Sequence, residues 1–235
     1  MEVQLQCGGK RRDLVGEKIS TNELIKRYFS QTKEMFGDDL FISFPENSSV
    51  GNTIKSLADF ERSISNCRKC NLWKGRTNFV FGVGDPHADL VLVGEAPGRE
   101  EDLQGEPFVG RAGHLLDKIL AAINLKRAEV YICNVLKSRP PDNRTPHQDE
   151  IDTCLPYLET QLEIIDPKLI VALGATAAQT LLKVKTPLGK LRSQLWSWRR
   201  YRLVVTYHPA ALLRNQSWKH PAWEDFQWIQ KLLEA

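Results

Sequence analysis

Glu95, Asn134 and His208 are the residues whose types and positions could do chemistry together. Glu95 follows the run ADLVLV inside Gly94-Glu95-Ala96-Pro97-Gly98, Asn134 ends VYICN, and His208 follows LVVTY. An imidazole beside a developing anion can donate a hydrogen bond that strengthens in the transition state. An amide donates to one edge atom and accepts from its neighbour, which is how a side chain reads the face of a nucleobase. Gly94, Pro97 and Gly98 impose a tight turn and leave room for a flat ligand to approach the backbone. An ordinary strand-to-helix turn is the plainer reading of that motif alone. Together the three side chains fit a base pocket.

The elements that must position them follow from periodicity. The runs at about 89–94, 130–134, 169–173 and 203–206 are short, apolar on successive residues and rich in β-branched side chains, as strands buried on both faces are. Helical spacing fills the intervals, at about 112–123, 147–165 and 175–183, and a helix at about 221–234 closes the chain. Strands alternating with crossover helices predict an α/β fold with a doubly wound, mainly parallel sheet. Ligands of such sheets bind outside the carboxyl ends of the strands, where Glu95, Asn134, Gly174-Ala175-Thr176 and His208-Pro209 all lie.

Upstream, Ser20 and Glu23 are spaced as a capping box for a helix over 21–36. The stretch FISFPENSSVGNT then reads as a linker, which divides the chain into an extension, 1–52, and a main domain, 53–235. Ile54, Leu57, Phe60 and Ile64 predict a helix that delivers the chain to Cys67-Arg68-Lys69-Cys70. Two thiolates on one tight turn suit a metal or an iron–sulfur cluster.

The chain has 235 residues, a net charge of +3 and a pI near 8.6, which permits a polyanionic partner without requiring one. No stretch reaches the length of a membrane span and the N-terminus lacks the apolar centre of a signal peptide, so a cytoplasmic location is expected. Five cysteines, an odd number, argue against a disulfide framework. The proline-stiffened loop Lys137-Ser138-Arg139-Pro140-Pro141-Asp142-Asn143-Arg144 follows the Asn134 strand, so Lys137, Arg139 and Arg144 are expected to contact phosphates, with Lys190 and Arg192 extending the track. Trp196, Trp198, Trp218, Trp223 and Trp228 are of a type found more often in cores than as stacking platforms, and Trp223 and Trp228, which flank the apolar face of the last helix, are assigned to packing.

From Cys67 to Arg214 the chain resembles the family 4, iron–sulfur type of uracil-DNA glycosylases. The motifs are C-x-x-C, GEAPGREED, GEPFVGRAG, VYICNVLKSRPPDNRTP, LIVALGATA and YHPAALLR, in that order. The resemblance implies a three-layer α/β/α fold around a central, mainly parallel four-stranded sheet, and hydrolysis of the N-glycosidic bond of uracil in single- and double-stranded DNA by a monomer, as in base excision repair. It places Glu95, with Gly94 and Ala96, at the base of the uracil pocket, Phe108 on the ring, Glu101 near the ring C5 wall, Asn134 on the base edge and His208 on the O2 side. Leu212, Leu213 and Arg214 become the loop that presses into the duplex as the nucleotide leaves. A target base must leave the stack to be reached, at a cost of about a few kcal/mol. Ala96 stands where other members of the superfamily have an aspartate, so stabilisation of the uracil anion is expected to carry more of the rate than base catalysis.

The family holds a [4Fe-4S] cluster on four cysteines. Cys67, Cys70 and Cys154 match three of those positions and Ser138 stands at the remaining one, which leaves ligation by the serine alkoxide, by Cys133, a labile or three-iron cluster, or no cluster as the alternatives. Two rival readings are a DNA- or replication-associated binding module without catalysis, and a glycosylase shifted toward hypoxanthine or xanthine.

Overall fold

The computed structural model describes residues 56–234; the expected helix at 21–36, the linker and Cys7 lie outside them. Eight helices and six strands are assigned among these residues. Helix α1 (Leu57–Ile64) starts at Ser56, whose side chain accepts from the Asp59 N–H at 3.1 Å, and it buries Leu57, Phe60 and Ile64. Strands β1 (Val83–Gly84), β2 (Leu90–Gly94), β3 (Tyr131–Asn134), β4 (Leu169–Leu173), β5 (Leu195–Trp198) and β6 (Tyr201–Thr206) form one sheet in the order β1-β3-β2-β4-β6-β5. The four inner strands are parallel, with Gly94 opposite Asn134 and Leu173 opposite Thr206. Successive crossovers from β2 run first to β3 and then, on the other side, to β4. The crevice at the carboxyl end of β2 is therefore the switch point where such sheets bind ligands.

Alternate residues of the inner strands face opposite layers. Val91, Val93, Cys133, Ile170, Ala172, Leu203 and Val205 pack with α1, α4 (Gln148–Ile165) and α5 (Ala175–Leu182). Leu90, Leu92, Ile132, Leu169, Val171 and Val204 pack with α3 (Arg111–Ala122) and α8 (Lys219–Glu234). Both faces are covered, which is the three-layer arrangement expected.

The sheet has six strands where four were expected. The two additions are antiparallel edges. β1 pairs through only Val83 and Gly84, too few residues for any alternation to register. β5 leaves Leu195 exposed, so it lacks the continuous apolar run that marks an interior strand. Three short helices were also missed: α2 (Arg99–Gln104), α6 (Leu188–Leu191) and α7 (Pro209–Arg214). In α2 the only apolar residue is Leu103, itself 52% exposed, so there is no apolar period to read. The segment expected as a DNA-pressing loop is α7, with Pro209 at its first position, where a missing N–H costs nothing. The assignment of Trp223 to packing fails, since it is exposed, and Trp218, of a type expected more often in a core, is exposed as well.

Candidate active site

The site forms where β2, β3, β4 and β6 run out. Gly94 ends β2 directly beside Asn134 at the end of β3. A Cβ at position 94 would stand 2.3 Å from Asn134 Oδ1 and 2.7 Å from the Phe108 ring, so only glycine allows the two side chains to meet over the strand end. Asn134 is 1% exposed, and its Oδ1 is buried without a hydrogen-bond partner. An unpaired buried carbonyl is costly, and a ligand N–H would relieve it.

Phe108 is buried and holds a left-handed backbone, φ 55°. A bulky side chain rarely adopts that conformation unless its surroundings enforce it. Glu101 supplies part of the enforcement: its Oε1 accepts from the N–H groups of Val109 and Gly110 at 3.1 and 3.0 Å. Its carboxylate thus braces the turn that presents Phe108 at the head of α3. On the far side, Phe108 stacks against His208, with ring centroids 5.3 Å apart and an interplanar angle of 29°.

His208 caps α7. Its Nδ1 accepts from the Ala210 N–H at 3.1 Å, which leaves the proton of the neutral ring on Nε2. Burial pushes its pKa down to about 4; Arg214 adds to the fall and Glu101 opposes it. The ring is therefore a neutral donor at physiological pH. Gly174 admits it closely, since a Cβ there would sit 3.0 Å from that of His208.

Glu95 is half-buried beyond Gly94, and one oxygen, Oε2, accepts a hydrogen bond from the Thr176 hydroxyl on α5. Thr176 was legible only as part of a strand-end motif, and its grip on Glu95 could not be read from spacing. Ala96 is half-buried in the same turn.

A second support sits beneath the His208 segment. Arg192 and Asp225 form a two-pronged ion pair, at 2.7 and 3.0 Å, and Asp225 also accepts from Thr206 Oγ1 at 2.6 Å. Arg192 further donates to the Pro221 carbonyl and the Tyr207 hydroxyl. The expected phosphate contact at Arg192 is thus replaced by an internal clamp on the residues just before His208.

Other members of the expected DNA track are also corrected. Lys137 is wholly buried, and its Nζ donates to the backbone carbonyl of Asn134 at 2.8 Å, so it cannot reach a phosphate. Burial pushes its ammonium below the ordinary lysine value, with Cys133 and Cys154 opposing. Arg144 is turned inward onto Glu150, at 2.9 and 2.6 Å, where the pair closes the first turn of α4. Leu212 is 1% exposed and packs inside α7, which leaves half-buried Leu213 and exposed Arg214 to face outward. Half-buried Arg139 donates to Asn143 and Lys190 is exposed.

A family model described as the uracil DNA glycosylase superfamily matches residues 81–229. The type-4 uracil-DNA glycosylase of Archaeoglobus fulgidus is 46% identical over 187 residues, 76% of this chain and 94% of that protein. That of Thermotoga maritima is 47% identical over 66% of this chain and 81% of its own length. The chain belongs to the uracil DNA glycosylase superfamily. A type-5 uracil-DNA glycosylase of Pyrobaculum aerophilum is more distant, at 27% identity over 68% of this chain and 77% of that protein.

Type-4 resemblance raises the question of the cluster. Cys154 is buried, its Sγ accepts from the Lys137 backbone N–H at 3.4 Å, and its thiol is pushed up to about 11, chiefly by burial. Cys67 and Cys70 are half-buried and pack against the same core cluster that contains Cys154. Cys67 Sγ also meets the Tyr157 hydroxyl at 3.2 Å. Ser138 Oγ accepts from Arg76 at 3.1 Å. Among the described residues no three His, Cys, Asp or Glu side chains are gathered as a metal site. Cys154 is buried and Cys67 and Cys70 are half-buried, so the corner offers thiols and one N–H···S contact, with the Ser138 hydroxyl at the fourth position, but not a gathered ligand set.

Proposed function

We propose that this protein removes uracil from DNA by hydrolysing the N-glycosidic bond, leaving an abasic site. The observation that carries the reading is the buried, unpaired Asn134 Oδ1 beside Phe108 and His208. Uracil offers an imide N–H flanked by two carbonyls. Asn134 Oδ1 would accept from the N–H while its amide nitrogen donates to O4, and a base in that register meets the Phe108 ring. The extruded nucleotide reaches this pocket only after unstacking.

The reaction proceeds by lengthening of the N-glycosidic bond, with positive charge growing on the sugar and the pyrimidine leaving as an anion. His208 is neutral, and its Nε2–H would donate to O2 as negative charge accumulates there. Preorganised donors of this kind act where charge develops and need no reorganisation. Glu95, steadied by Thr176, is the group able to orient the water that adds to the sugar. Leu213 and Arg214 on α7 would occupy the space the nucleotide vacates, and Arg139 and Lys190 would contact flanking phosphates.

Cys67, Cys70 and Cys154 would hold an iron–sulfur cluster, with Ser138 at the fourth position. When bound, such a cluster would supply a structural tie between the cysteine turn and the loop bearing Arg139. Anaerobically purified protein is expected to contain iron and acid-labile sulfide in stoichiometric amounts. Finding neither would remove the cofactor from this reading and leave the pocket chemistry intact.

We further take residues 53–235 as the glycosylase domain, acting as a monomer in the cytoplasm on single- and double-stranded DNA. Among the described residues no helix is long and apolar enough to cross a membrane. The deciding experiment incubates the purified protein with labelled oligonucleotides carrying one uracil, single-stranded or opposite guanine or adenine, and then cleaves abasic sites with alkali. Strand cleavage at the uracil is expected. Intact strands from folded protein would overturn the reading in favour of another base or of binding alone.

A further inference from the structure

Trp218 is a large aromatic side chain left 38% exposed at the edge of the site. It ends the short 3-10 turn Gln216–Trp218, which follows α7 directly. One face of its indole lies on Tyr207, with centroids 4.9 Å apart and planes 20° from parallel. Tyr207 in turn carries the Arg192 guanidinium 4.3 Å from its ring centre. Guanidinium and indole both lie against the Tyr207 ring, so the three groups form one stacked cluster. It is anchored by the buried Asp225 that holds Arg192, and its indole is exposed to solvent.

This placement is not that of a residue completing a core. A tryptophan recruited for packing would have its outer face covered; here the cluster is fixed by an ion pair and the indole is presented. Tyr207 immediately precedes His208, and α7 with Arg214 lies between the base pocket and Trp218 along the chain. Exposed Arg214 and Lys219 flank the ring in sequence and supply charge of the sign that attracts a phosphate backbone. Rigid aromatic platforms beside basic groups are how proteins hold unpaired nucleic-acid bases, because every base has a π face.

We propose that the outer face of Trp218 is a stacking site for an unpaired nucleobase adjacent to the excised one. The site would favour single-stranded or locally opened DNA and would not read sequence. It rests on the uracil-excision reading for its neighbour but not for its own binding chemistry.

The test is therefore made on strands without uracil. Tryptophan fluorescence is titrated with a uracil-free single-stranded oligonucleotide, using the full-length protein and the variants Trp218→Phe, Trp218→Ala and Trp223→Ala. Stacking is expected to quench the wild-type emission. Trp218→Ala should lose most of that quenching and bind about tenfold or more weakly, the scale of losing one base-stacking partner. Trp218→Phe, which keeps a ring on Tyr207, should bind within about threefold of wild type by polarisation of a labelled strand. Trp223→Ala should quench and bind as wild type. Equal affinity for Trp218→Ala and wild type, or an equal loss on Trp223→Ala, would overturn the assignment. A wild type that binds and quenches but never excises uracil would instead overturn the enzymatic reading and leave the platform standing.

Discussion

His208→Ala lowers the single-turnover rate of uracil excision by about a hundredfold to a thousandfold, the scale of removing one preorganised donor from a developing oxyanion. The neutral ring is fixed by its Nδ1 contact to Ala210, so the lost Nε2–H is not replaced by water in the same geometry. Glu95→Gln is expected to lose less, since it keeps the shape and one hydrogen-bonding oxygen while removing only the carboxylate's charge. A larger loss for Glu95→Gln than for His208→Ala would reverse the order of importance and make water activation the main term. The pH profile gives a separate reading. With a folded pKa of about 4, His208 stays neutral down to that value, so the rate should not fall through the usual histidine range near pH 6.5. Stability follows the linkage sign: below the ordinary pKa the unfolded chain binds a proton that the folded chain refuses. His208 therefore favours the folded state fully above about pH 6.5 and loses that contribution progressively as pH falls toward 4. Denaturant titrations of wild type and His208→Ala over that window should converge at the acid end.

Asp225→Ala should be the most destabilising single change near the site, by about 3–5 kcal/mol in equilibrium urea unfolding. Its partner Arg192 has a side chain only 10% exposed, and that of Asp225 is 2% exposed, so truncation strands a buried guanidinium. Thr206 at the end of β6 loses its acceptor at the same time. A loss under about 1 kcal/mol would mean that water enters and that the pair is a surface pair in effect.

The inner sheet was legible because its strands are buried on both faces and so carry uninterrupted apolar runs. The pocket was legible for the same reason: parallel topology puts residues 95, 134 and 208 at one edge whatever the details. What eluded the reading depends on contacts distant in sequence. Lys137 and Arg144 look like solvated cations in a proline-rich loop, yet one is sealed onto a main-chain carbonyl and the other onto Glu150. Leu212 and Leu213 are adjacent in sequence and identical in type, and only the helical turn of α7 decides that one points in. Glu101 was expected near the ring C5 wall; its part in bracing the turn at Phe108 depends on α2 folding back beneath that turn, a helix with no apolar period to announce it.

The five residues from Asn134 to Ser138 carry the unpaired pocket amide at one end and a hydroxyl of the cysteine corner at the other. Between them, the Lys137 amine is fastened to the carbonyl of Asn134 and its N–H to Cys154. The segment also stays hydrogen-bonded to the end of β2, from Val135 to Gly94 and from Leu136 to Glu95. It forms a short strut hydrogen-bonded along its length, so the candidate pocket and the cysteine corner share one structural part. Neither can drift without dragging the other out of register.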